Sequence, residues 1–106
     1  MREHLAAETM NRITRKQADE MARILNRSLA LPVEPYLQNP VTAQYVAQIG
    51  CIHICGQNGT NTICQMENLS GGVRGMAYGL TLREAYDWLS AAIEGVRLAN
   101  KHGLYS

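Results

Sequence analysis

Ile49–Tyr78, IGCIHICGQNGTNTICQMENLSGGVRGMAY, decides the fold. β-Branched residues and alternation run from Tyr45 to Cys55 and resume after Asn58-Gly59. A two-residue type I′ turn needs positive φ at both central positions, which Asn-Gly supplies. The stretch is therefore a β-hairpin, and the turn sets its register. Gln57 faces Thr60, Cys55 faces Thr62, His53 faces Cys64, and Cys51 faces Met66. One face then carries Cys51, His53, Cys55, Thr62 and Cys64; the other carries Ile52, Ile54 and Ile63. Asn68–Gly79 holds four glycines. It leaves the hairpin as a turn and continues as a third strand with Arg74, Met76 and Tyr78 on one side.

A helix is predicted on each side. Thr14 with Gln17 forms a T-x-x-Q capping box, and Ala18, Met21, Ala22, Leu25 and Leu29 follow at helical spacing. That helix ends near Ser28–Leu31, because Pro32 disfavours helical backbone before it. Leu31–Pro40 holds all three prolines and reads as an extended connection or an edge segment. Thr81 with Glu84 opens the second helix, whose stripe is Leu82, Ala85, Tyr86, Leu89, Ile93 and Val96. It runs to about His102, with Gly103 beyond it as the C′ residue. The expected fold is α+β: a helix, an antiparallel hairpin grown to three or four strands, and a C-terminal helix. Residues 1–13 read as an N-terminal arm or an extension of the first helix, and 14–106 as one domain.

With 106 residues, 46% of them hydrophobic, the chain is long enough for one small core. A domain this size leaves apolar surface poorly covered, so a homo-oligomer is expected. The net charge of +1 argues against nucleic acid or a membrane as partner. The opening MREHLAAETMNR lacks the apolar core of a signal peptide, and no stretch reaches the apolar length of a membrane span. A cytoplasmic location is the expectation, and three cysteines there are free thiols.

Cys51, His53, Cys55 and Cys64 suggest zinc, but Cys51 and Cys55 are about 13 Å apart along a strand, too far for one tetrahedral ion. A Cys64–His53 nucleophile lacks a third group to orient the base. Both sets read better as packing on a half-buried sheet face, and neither a metal nor a cofactor is expected. The glycines at 71, 72, 75 and 79 match no phosphate-loop pattern, although such turns can present backbone N–H groups to an anion. Arg23 with Arg27, and Arg97 with Lys101, lie one turn apart, a spacing that can clamp phosphate. The plainer reading is a solvated face, with Asp19 pairing Arg23. Arg83 sits in the first turn of its helix, where the dipole disfavours a cation; its i,i+4 partner Asp87 or a bound anion would account for it. No acid, base and nucleophile come together, so the chain reads as a binder and not an enzyme.

The order of RIT-x-K-Q at Arg12–Gln17, R-x-L-N-R at Arg23–Arg27, LPVEPY at Leu31–Tyr36, QIGCIHI at Gln48–Ile54, ENLSGGV at Glu67–Val73 and LREAY at Leu82–Tyr86 resembles a family of small phage and prophage proteins. That family is taken to overlap the phage anti-Thoeris sponges. These are oligomeric proteins that bind a cyclic ADP-ribose isomer, and in some cases cyclic oligonucleotides, without cleaving them. The resemblance implies a phage anti-defence role in the host-cell cytoplasm and a small anionic nucleotide as ligand. An aromatic residue, an asparagine and arginines line the family's pocket. By position Asn68 is the asparagine and Arg83 an arginine, while the aromatic position falls at Asn58. Family members carry a Y-G-G-W type turn there and this chain has N-G-T-N, so Tyr78 or Tyr36 would have to supply the ring. The candidate ligand-binding set is Asn68, Arg83, Arg74, Tyr78, Arg23, Arg27, Asn58 and Arg97. Two alternatives follow from the residues: a phage structural or regulatory protein acting through protein contacts, which the exposed helical faces and Trp88 beside the core stripe allow, or nucleic-acid binding by Arg15, Lys16, Arg23 and Arg27.

Overall fold

The computed structural model describes residues 12–57 and 59–102. The Asn58 position, residues 1–11 and Gly103 lie outside the described residues. In chain order the elements are α1 (Arg15–Ser28), β1 (Tyr36–Gln38), β2 (Tyr45–Ala47), β3 (Ile52–Gln57), β4 (Thr60–Met66), β5 (Val73–Leu80) and α2 (Leu82–Lys101). The fold is α+β, with two antiparallel sheets: β1-β2, and β3-β4-β5. Residues 12–14 are not helical, and α1 starts where Thr14 closes its capping box with Gln17. Thr81 and Glu84 do the same for α2.

The hairpin has the expected register, Gln57 opposite Thr60 through Ile52 opposite Gln65. Cys51 continues it with a Met66 N–H to Cys51 carbonyl bond of 2.9 Å. Ile52, Ile54 and Ile63 enter one core with Ala18, Ala22 and Leu25 of α1 and Ala85, Leu89, Ile93 and Val96 of α2. Alanines at 18, 22 and 85, all buried, let the helices sit close to the sheet and to each other.

Three details differ from the expectation. Tyr45–Cys55 is not one strand. Gly50 has φ +97, a conformation that favours glycine, and the chain bends there so that Tyr45–Ala47 pairs with Tyr36–Gln38 instead. The proline-rich segment thus supplies a strand of a separate ribbon. The third strand does not keep Arg74, Met76 and Tyr78 on one side. Register shifts between Asn61 and Ile63 and between Ile63 and Cys64 insert bulges into the β4–β5 ladder. Arg74 stays opposite Gln65, Met76 packs against the helical core, and Tyr78 reaches the open face. Tyr86 is half-buried, and the Arg83 guanidinium lies 5.8 Å from its ring centroid.

The two helices run in the same direction. Arg15 and Leu82 border one hollow, while Leu29 and Val96 border another at the far end. Both helix N-termini therefore point to the end of the sheet that bears the Gly59 turn.

Candidate functional site

That end holds a hollow of about 560 Å³ lined by Arg15, Gly56, Gly59, Thr60, Asn61, Thr81 and Leu82. Its geometry follows from local sequence. Thr14 and Thr81 start the helices there, and the two-residue turn brings Thr60 and Asn61 over them. Asn61 Nδ2 donates to the Leu80 carbonyl at 3.1 Å, tying the turn to the end of β5. Arg15 is held on two sides: Nη2 donates to the Ile54 carbonyl at 2.6 Å, and Nε to Asp19 at 2.9 Å. Gly56 leaves room for that guanidinium, since a Cβ would lie 3.3 Å from Nη1. Arg83 follows Leu82 in the first turn of α2, with Nε 3.3 Å from Asp87. No acidic residue occupies the first turn of α1. Each helix N-terminus carries roughly half a positive charge. Two of them face this end, where Asp19 and Asp87 pair with the two first-turn arginines and Glu84 stands in the first turn of α2, so the backbone N–H groups are what this end offers an anion.

The face of the three-stranded sheet turned away from the helices holds a second hollow, of about 460 Å³. It is lined by Cys55, Gly56, Thr62, Cys64, Val73, Gly75 and Tyr78. The Tyr78 ring is exposed and occupies the space where a Gly75 side chain would stand. It forms an aromatic plate on an open sheet face, near the strand end that leads into Arg83.

The other candidates go elsewhere. Asn68 precedes β5 and Arg83 follows it, so the strand's length, roughly 23 Å, separates them within one chain. The expected proximity of Asn68 to Arg83 does not occur. The Asn68 side-chain oxygen instead accepts from the Ser70 and Gly72 N–H groups at 3.1 and 2.9 Å and shapes the turn. Arg74 donates to Gln65 at 3.0 Å at that same remote end. Arg23 bonds Glu34 at 2.9 Å and Glu20 at 3.4 Å, and Arg27 shares Glu20 at 3.3 Å. The Glu34 hydrogen bond holds the Arg23 guanidinium above its ordinary value. Asp19 pairs with Arg15, not with Arg23 as expected. Arg97 faces Glu94 at 3.6 Å on the far half of α2. Tyr78 lines the second hollow, on the far face of the sheet, with its hydroxyl at Gly75, while Arg15 lines the hollow at the Gly59 end and Arg83 follows its lining residue Leu82. The position of Arg15 in the first turn of α1 was the signal available for it.

The thiols behave as packing groups. Burial pushes the Cys64 thiol up to about 12, with Cys55 beside it adding to the rise, and burial with Glu34 pushes Cys51 up to about 11. A nucleophilic cysteine needs the opposite shift. His53 faces Cys64 as expected, with Nδ1 3.3 Å from the Cys51 carbonyl. Among the described residues no three His, Cys, Asp or Glu side chains are placed to hold a metal. Among them, too, no helix is long and apolar enough to cross a membrane. Trp88 is half-buried and packs against the helical core. Comparison with family models, characterised proteins and solved structures finds no match to this chain.

Proposed function

We propose that this protein binds a small anionic nucleotide and sequesters it without cleavage. The ligand class is a cyclic immune signal, a cyclic ADP-ribose isomer or a cyclic oligonucleotide, and the role is phage anti-defence. The observation that carries this reading is the convergence of two parallel helix N-termini and Arg15 on one hollow, with Arg83 following its lining residue Leu82 in the chain. Arginine forks and helix N-termini suit phosphate oxygens, and the Tyr78 plate suits a nucleobase. Sequestration requires no nucleophile, and burial holds the Cys51 and Cys64 thiols in the protonated form.

Calorimetry with cyclic ADP-ribose isomers and cyclic oligonucleotides tests it. Binding is expected for at least one, and ligand recovered after denaturation should be chemically intact. Arg15→Ala and Arg83→Ala should each weaken binding by on the order of 10- to 100-fold, the worth of a charge-assisted hydrogen bond. No heat with any of these ligands, or recovery of a hydrolysed product, rejects the proposal.

A further inference from the structure

Cys55 on β3 and Cys64 on β4 form a dithiol on the floor of the second hollow. Cys55 stands opposite Thr62 and His53 opposite Cys64, so the two cysteines are diagonal neighbours on one face of the sheet. The Cys64 Sγ leans along its own strand, 3.8 Å from the Thr62 carbonyl, which carries it toward Cys55. Both residues line the hollow of about 460 Å³, Cys55 half-buried and Cys64 buried. Room for it exists because Gly75, opposite Cys64 on β5, has no side chain, and the Tyr78 ring crosses that space. The third thiol differs: Cys51 is sealed with Ala47 and Met66 in a separate buried cluster.

Spacing decides what the pair can hold. Diagonal neighbours have Cα atoms about 7–8 Å apart, with Cβ atoms somewhat closer. Beyond about 7 Å two cysteines cannot form a disulfide without backbone movement. An ion with metal–sulfur bonds of about 2.3 Å bridges sulfurs up to about 4.6 Å apart, a reach that suits the diagonal. The donor set is limited to two. His53 turns to the cleft between α1 and β3, with Nδ1 3.3 Å from the Cys51 carbonyl, and does not line the dithiol hollow. Two thiolates alone do not satisfy zinc, which takes four ligands. Soft sulfur donors select monovalent copper, a closed-shell ion that two sulfurs satisfy.

We infer that Cys55 and Cys64 bind one monovalent copper ion as a two-coordinate dithiolate in the hollow that Tyr78 lines. Two S–H bonds break, two copper–sulfur bonds form, and two protons leave to solvent. The copper stays monovalent, so no electron is transferred. The product carries one negative charge, which the open side of the hollow leaves in reach of water. Burial favours the protonated Cys64 thiol, so the ion competes with protons for its sulfurs. With two protons displaced, affinity rises by up to about 100-fold per pH unit.

Anaerobic titration of the full chain with monovalent copper, in competition with a chromogenic copper(I) chelator, tests the inference. One ion per chain is expected, with thiolate-to-copper charge-transfer absorption in the ultraviolet and two sulfur neighbours by X-ray absorption. Cys55→Ser alters a half-buried side chain, keeps the circular dichroism of the wild type, and should weaken binding at least about 100-fold, more than the loss of a group that merely orients a ligand. Cys51→Ala should bind copper as the wild type does, since that thiol is sealed elsewhere. No copper held against the chelator, half an ion per chain, or an affinity that Cys55→Ser leaves unchanged overturns the inference. The nucleotide reading rests on Arg15 and is scored separately: copper uptake without nucleotide binding leaves this inference standing, and nucleotide binding without copper uptake overturns it alone.

Discussion

Replacing Asn26 by leucine should unfold this protein more readily than any surface change, because Asn26 finishes the edge of β3. In the order β3-β4-β5, β3 has one neighbour, so the outward backbone groups of Ile52 lack a strand partner. Asn26, fully buried, supplies both: its Nδ2 donates to the Ile52 carbonyl at 2.8 Å, and its Oδ1 accepts the Ile52 N–H at 2.9 Å. Leucine has nearly the same shape and neither group. Two buried backbone groups then lose their partners, at about 1–3 kcal/mol each. Added apolar burial offsets about 1 kcal/mol. The expected loss is about 1–5 kcal/mol, a large part of the roughly 5–15 kcal/mol of a small domain. Urea unfolding followed by circular dichroism measures it. Asn26→Asp sharpens the test. Its carboxylate would face the Ile52 carbonyl in a buried site, which raises its folded pKa. That variant should therefore be most stable in acid and lose stability as pH rises through the unfolded value of about 3.9. An Asn26→Leu protein within about 0.5 kcal/mol of wild type would refute the argument, since surface-like tolerance means Ile52 finds partners elsewhere.

Gly50→Ala should cost about 1–3 kcal/mol in thermal denaturation, because φ +97 is strained for alanine and its Cβ would lie 3.2 Å from Leu31 Cδ2. Gly75→Ala should leave stability nearly unchanged yet swing the exposed Tyr78 ring off the sheet face, which tyrosine fluorescence and nucleotide calorimetry would register together. Thr81→Ala should cost about 1 kcal/mol through the lost cap, read by urea unfolding. Cys51 and Cys64 have folded values raised from 9.0 to about 11 and about 12, so the folded state holds protons that the unfolded state has released. Stability should be unaffected by these groups below about pH 9 and fall above it, by at most about 1.4 kcal/mol per pH unit per thiol. A flat stability profile between pH 9 and 11 would contradict that window.

The local sequence was sufficient wherever the interaction is local. Asn58-Gly59 determines the hairpin register because the turn dictates which residues face each other, and the two T-x-x-Q/E boxes determine where each helix starts. Helical spacing identified Ala18, Leu25, Leu89 and Ile93 as core, since periodicity and burial share a cause. The candidate site was legible only in part. Arg83 and Tyr78 were singled out, but Arg15 was read as part of a basic helix face. Its role depends on where Gly56 and Ile54 lie, dozens of residues away.

Tertiary structure alone decided the rest, because those features depend on contacts between distant segments. The bulges that turn Tyr78 to the open face arise from mismatch between β4 and β5, which no turn residue records. The ribbon of β1 and β2 forms because Gly50 breaks what the pattern presents as one strand. Asn26 looks like any polar helix residue until β3 places an unpaired edge beside it. The parallel course of the helices brings both N-termini to one hollow and leaves Asn68 at the opposite end of the sheet. The sequence by itself determined which elements form and which faces they bury; packing between those elements decided which charged groups meet.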